Sequence, residues 1–239
     1  MKSIFSIFIL IFLLLNSCTP VYRPNPLNTP LFTEKGQANI GMYYGPNGTD
    51  LQVSYALTNK IGIIANGSYL SMRPEENNQY PNNISAEEND NYQKNLFWEL
   101  GVGYFKKQGK NVVSEIYIGA GRGESSAKSD YEPISSMEVM AKSRYYRFFV
   151  QSNVAFKSTW FEGGFCLRSC YVNFYELEFE NKNYPYSKWN TFVDPVLFMR
   201  LGEANLKFQV QYGYSIPVTM NNPIEYVPFV AGIGLNIGF

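Results

Sequence analysis

The end of the chain, residues 227–239, alternates without exception between two kinds of side chain. One face carries Val227, Phe229, Ala231, Ile233, Leu235, Ile237 and Phe239. The other face carries Pro228, Val230, Gly232, Gly234, Asn236 and Gly238. Because side chains of a β-strand point alternately to opposite faces, this pattern predicts a strand with one bulky apolar face and one slim face. The apolar face would contact lipid or a core, and the slim face a crowded interior.

The same alternation recurs upstream and predicts an all-β domain over residues 36–239. The expected strands are 37–45, 50–58, 60–70, 94–106, 111–121, 144–157, 159–171, 191–202, 205–216 and 226–239. A series of alternating segments separated by turns and loops is typical of a barrel or a sandwich. We therefore expect an antiparallel up-and-down transmembrane β-barrel of about ten strands, with eight as the alternative count.

The lengths of the connections favour a membrane barrel. Tight turns alternate with longer loops, which are expected at 71–93, 122–143, 172–190 and 217–225. In a meander, alternate connections fall on opposite rims, and outer-membrane barrels have short turns on one rim and long loops on the other. An even strand count also brings both ends of the barrel domain to the tight-turn rim, and a lipid-anchored N-terminal end is therefore expected on that side.

Charged residues in the central strands lie opposite the apolar face, as lipid exposure of that face would require. We predict an inward network of Glu99, Glu115, Arg147, Glu162, Arg168, Asp194, Arg200 and Lys207, with four charges of each sign. A ten-stranded barrel is only a little wider than one that side chains fill, so this network is expected to plug the lumen. The alternative is a narrow channel for ions or small solutes.

The composition argues against several function classes. The chain of 239 residues has 20 basic and 20 acidic residues, so net charge favours neither a nucleic-acid partner nor a strongly charged ligand. It has no histidine, which removes the commonest general base and the usual zinc ligand. We therefore expect a protein that is not an enzyme and that carries neither a cofactor nor a metal. No apolar run beyond the first residues approaches the ~18 that a membrane helix needs.

The first residues predict export. Lys2 precedes an apolar run, so residues 1–17 are expected to be a signal peptide. The sequence 15–18, Leu-Asn-Ser-Cys, resembles the lipobox of bacterial lipoproteins, although Asn16 departs from the usual small residue. The resemblance implies acylation of Cys18, with palmitate as the expected fatty acid and two or more chains forming a stable anchor. The alternative is an ordinary secretion signal with an incidental cysteine.

Residues 18–35 contain four prolines and are expected to form an extended tether between the lipid and the barrel.

Cys166 and Cys170 are expected to be small inward side chains without a disulfide, because four residues of strand separate their Cα atoms by about 13 Å. Pro228 is expected at a rim. Pro195 falls within a strand and predicts a local irregularity there.

As a whole, residues 36–239 resemble the small outer-membrane β-barrel proteins of Gram-negative bacteria, here with an N-terminal lipobox. The terminal strand is similar to the C-terminal signal of such barrels, with its final aromatic residue at Phe239. The resemblance implies an outer-membrane location, contact with membrane lipid and with the outer-membrane insertion machinery, and extracellular long loops. It implies a structural role or an interaction through those loops, with an unknown partner.

One further reading stays open from the sequence. A soluble, lipid-tethered periplasmic barrel or sandwich that binds an apolar ligand would turn the charged faces outward and the apolar faces inward. The orientation of the faces separates it from the membrane barrel.

Overall fold

The computed structural model describes residues 20–73, 92–131, 137–179, 182–183, 189–203, 205–221 and 224–239. Its strands are β1 (Ala38–Gly45), β2 (Gly48–Ala56), β3 (Ile61–Met72), β4 (Tyr92–Gln108), β5 (Val112–Tyr131), β6 (Met137–Lys157), β7 (Phe161–Phe179), β8 (Lys182–Asn183), β9 (Trp189–Glu203), β10 (Leu206–Tyr214), β11 (Ile216–Thr219) and β12 (Phe229–Gly238). Within these ranges, no helix has the length and apolar character needed to cross a membrane.

Ten of the strands close into an antiparallel up-and-down barrel. Their order is β1, β2, β3, β4, β5, β6, β7, β9, β10 and β12, and β12 pairs back onto β1. The short β8 folds back onto β7, and β11 extends the pairing of β10 with β9. The predicted ten-stranded barrel is confirmed, and the alternative count of eight is wrong.

The apolar face of each strand points outward and the charged face inward. In β4, Leu100 is 59% exposed while its neighbour Glu99 is 1% exposed. We call the exposed apolar surface around the barrel the apolar belt. Every barrel strand contributes to it, as illustrated by Met42, Val53, Ile63, Leu100, Ile118, Phe148, Leu167, Leu197, Phe208 and Ile233. A sandwich with charged faces outward is therefore excluded.

Inward glycines make room for aromatic rings in the lumen. A Cβ atom on Gly119 would overlap the ring of Phe149, and one on Gly103 would overlap the ring of Tyr117. Each ring lies across the glycine of the neighbouring strand, so the slim face recognised in the sequence is the wall of a tightly filled interior.

The strands β5, β6 and β7 continue well beyond their expected ends. Residues 122–143 were predicted to be a loop, but β5 and β6 remain paired as far as Tyr131 and Met137. Arg144 holds this extension together from outside, with ion pairs of 3.3 Å to Glu124 and 2.9 Å to Glu176. The predicted loop 172–190 likewise contains the end of β7, all of β8 and the start of β9. The central part of the predicted loop 71–93 lies outside the described residues.

Pro195 lies inside β9, where the ladder to the next strand is interrupted. Pairing of β9 with β10 ends at Val196 and resumes with β11 at Val193 in the same register. Between them, the amide of Ser215 donates to the carbonyl oxygen of Pro228 over 2.8 Å. Because the ladder is already open here, β9 tolerates a residue without an N–H. Pro228 immediately precedes β12, as expected.

Candidate functional site in the lumen

Residues 20–32 are buried inside the barrel and lead to Glu34 and Lys35, which are exposed; we call residues 20–35 the lumen segment. Tyr22, Leu27, Leu31 and Phe32 are completely buried. In the part that the structure describes, the segment predicted to be a tether, residues 18–35, therefore runs through the lumen. The extended conformation itself was expected, because four prolines exclude a helix or a central strand. The sequence pattern of residues 18–35 did not indicate that this extended chain occupies the lumen.

Side chains from the barrel wall bind the backbone of the lumen segment. Gln211 accepts a hydrogen bond from the Leu27 amide (2.8 Å) and donates one to the Leu27 carbonyl oxygen (2.6 Å). Gln52 donates to the carbonyl of Pro26 over 2.9 Å. A proline-rich chain without ladder partners leaves its carbonyl groups free, and burial requires that they find donors. The inward glutamines supply these donors.

Apolar contacts anchor the segment at three levels. Near the long loops, the ring of Tyr22 stacks on Phe192 with centroids 4.7 Å apart. In the middle, Leu27 packs in a buried cluster with Cys166, Val196 and Val230. Near the tight turns, Phe32 contacts Phe105 with ring centroids 5.5 Å apart. The segment is therefore fixed along its whole length.

Glu99 is the centre of one buried charge cluster, which we call the Glu99 cluster. Its carboxylate lies 2.5 Å from Arg147 and 3.4 Å from Arg168, and Arg168 also pairs with Asp194 over 3.2 Å. Asn25 of the lumen segment joins the cluster, because its amide donates to Glu99 (3.3 Å) and its oxygen accepts from Arg147 (2.6 Å). The cluster therefore ties four strands to the segment.

Glu162 is the centre of a second cluster, closer to the tight turns. It binds Arg200 over 3.1 Å and Lys207 over 2.6 Å. Arg200 in turn donates to the carbonyl (2.5 Å) and hydroxyl (2.8 Å) oxygens of Thr29. This second cluster also holds the lumen segment directly.

Glu115, the eighth residue of the predicted network, takes neutral donors. Its oxygens accept hydrogen bonds from the Phe32 amide (3.1 Å), the Asn153 amide (3.0 Å) and the Tyr117 hydroxyl (3.3 Å). All eight residues therefore face the lumen, and seven of them form the two ion-pair clusters. The sequence placed them on the correct face but did not indicate that residues 20–35 lie between them.

The remaining candidate residues lie apart from this constellation. Cys166 and Cys170 are buried free thiols, and the described ranges contain no group of three metal-ligating side chains. Phe239 is 68% exposed, and its amide donates to the carbonyl of Ala38 over 2.8 Å. Cys18 lies outside the described residues.

The chain matches no protein-family model and no curated protein. Taken together, the contacts build a barrel whose interior is occupied by its own chain. Such an interior can hold the wall rigid and block passage.

Proposed function

We propose that the protein is a lipid-anchored outer-membrane β-barrel of a Gram-negative bacterium, with its lumen closed by residues 20–35. It is not an enzyme, and it acts as a structural element or through its long-loop side. The observation that carries this proposal is the apolar belt, to which all ten barrel strands contribute, while the charged side chains at the level of the belt, those of the Glu99 and Glu162 clusters, are buried inside. In water this distribution would expose far more contiguous apolar surface than a monomeric protein normally carries.

The height of the apolar belt fits a bilayer. In β4 the outward apolar residues run from Leu96 to Tyr104, bounded by Lys94 and Lys106. At ~3.4 Å per residue and a strand tilt of ~40°, this stretch covers about 20 Å along the barrel axis. The lipid-facing band of an outer-membrane barrel is about 25 Å tall.

The alternatives have less support. A soluble carrier of an apolar ligand needs an apolar interior, whereas this lumen is lined by the Glu99 and Glu162 clusters. A channel for solutes needs a continuous path, and the lumen segment fills it. An interaction role has positive support in the extension of β5, β6 and β7, whose outer face is charged where it passes Arg122 and Arg144. This extension offers a regular surface beyond the belt, toward the long loops.

We expect Cys18→Ala to lose its lipid and still require a membrane. The apolar belt is independent of the acyl chains, so the variant stays in the membrane fraction, needs detergent for extraction and keeps heat-modifiable migration in gels. Radiolabelled palmitate should be incorporated by the wild-type protein and by the control Cys166→Ala, but not by Cys18→Ala. A Cys18→Ala protein that dissolves as a monomer in buffer would refute the membrane barrel.

A further inference from the structure

The lumen segment crosses the barrel from one rim to the other. Its Phe32 end packs with Ala56 and Phe105, next to the tight turns that follow β2 and β4. Its Pro20 end accepts a hydrogen bond from Ser125, and the amide of Val21 donates to Glu225 over 2.9 Å. Ser125 lies in the part of β5 beyond the apolar belt, on the long-loop side.

The contacts of the residues between these two ends are ordered from the tight-turn rim to the long-loop rim. Leu31 binds Lys157 beside a tight turn, and Thr29 binds Arg200 of the Glu162 cluster. Asn25 then binds the Glu99 cluster, and Tyr22 forms a parallel bridge with Tyr226. At roughly 3.1 Å per residue, the extended chain from Pro20 to Phe32 spans about 37 Å, more than the ~25 Å height of a lipid-facing band. The segment is long enough to traverse the membrane inside the barrel.

From this path we infer that the barrel presents its acylated end at the long-loop rim, on the cell surface. The inference rests on the proposed function, because it assumes acylation of Cys18 and extracellular long loops. Only Thr19 separates Cys18 from Pro20 in the sequence, so an acyl group on Cys18 is attached two residues before the described end of the lumen segment. The acyl chains on Cys18 would insert into the outer leaflet of the membrane.

This orientation of the lumen segment differs from the one expected from the sequence. An even strand count brings the start of β1 to the tight-turn rim, and the lipid anchor was expected on that same side. The start of β1 is indeed there, because Ala38 pairs with Phe239. The chain before it then returns through the lumen, so Pro20 and β1 lie at opposite rims.

Three epitope-tag insertions test the sidedness in whole cells. One tag follows Thr19, a second lies in the tight turn at Lys110, and a third lies in 74–91 as a long-loop control. We expect antibody to bind the Thr19 and loop tags on intact cells, and the Lys110 tag only after the outer membrane is permeabilised. If the Thr19 tag behaves like the Lys110 tag, the inference is overturned while the barrel stands.

If the loop tag also requires permeabilisation, the surface location is contradicted together with the orientation in the proposed function. Heat-modifiable migration of each tagged protein shows that it contains a folded barrel. Loss of that behaviour in the wild-type protein would refute the proposed function itself.

A cross-link in purified protein tests the path without cells. In a Cys18→Ala background, Pro20→Cys and Ser125→Cys should form a disulfide on oxidation, since the Pro20 carbonyl lies 3.3 Å from the Ser125 hydroxyl. The matched pair Pro20→Cys and Lys110→Cys should not. The reverse pattern would overturn the inference, because it places Pro20 at the tight-turn rim.

Discussion

Deletion of residues 20–34 should convert the closed barrel into an ion-conducting one. The lumen segment occupies the axis, and its removal leaves a water-filled path lined by Arg147, Arg168, Arg200 and their carboxylate partners. In planar bilayers, refolded wild-type protein should give no steady current. The deletion variant should give discrete single-channel steps, which the wild-type protein does not show.

A deletion of the same length, residues 75–89, is the matched control and should leave the barrel closed. A synthetic peptide of residues 20–35 should block the current of the shortened barrel by reoccupying the lumen. If the shortened protein folds, as heat-modifiable migration shows, and yet stays silent, side chains alone close the lumen. Steady current through the wild-type protein would equally contradict the role of the segment.

The second large effect is expected from Glu99→Ala. Glu99 is 1% exposed and faces two completely buried guanidinium groups, those of Arg147 and Arg168. Removing one partner of a buried ion pair leaves charge uncompensated and typically costs 3–5 kcal/mol, so we expect a loss of about this size in the free energy of unfolding. Urea titration in detergent, followed by tryptophan fluorescence, measures the change.

The matched control is Glu124→Ala, which breaks an ion pair with Arg144 on the exposed outer face. This substitution should hardly change the urea midpoint, because exposed ion pairs contribute little. Equal midpoints for Glu99→Ala and Glu124→Ala would mean that the Glu99 cluster does not hold the barrel together.

The sequence predicted the barrel well because each strand faces two different environments. In β4, the apolar residues Leu96, Trp98 and Leu100 point outward and Glu99 points inward. The alternation of outward apolar residues with inward residues repeats in all ten barrel strands. The ends of β5 and β6 were underestimated because charge appears on the outer face at Arg122 and Arg144, which resembles a loop. In the structure the same charges pair across strands, and the ladder continues.

The position of the lumen segment could not be predicted in the same way. Its prolines interrupt any periodic pattern, and its partners lie far away in sequence, as with Leu27 and Gln211, 184 residues apart. The sequence contained part of the information needed to place the segment in the lumen. Leu27, Leu31 and Phe32 are apolar, and an exposed tether has no need of them, while inward Gln52, Gln151 and Gln211 needed polar partners.

The central claim is that hydrocarbon, rather than water, surrounds the apolar belt. The three tryptophans of the chain test it without a mutation. Trp98 lies within the belt, Trp160 lies in the tight turn between β6 and β7, and Trp189 begins β9; their side chains are 51%, 64% and 46% exposed. The measurement is tryptophan fluorescence of the protein refolded into vesicles with brominated or ordinary acyl chains. We expect strong quenching by the brominated lipid and weak quenching by aqueous acrylamide. Tryptophan emission that is not quenched by the brominated lipid but is quenched by acrylamide would contradict contact between the apolar belt and hydrocarbon.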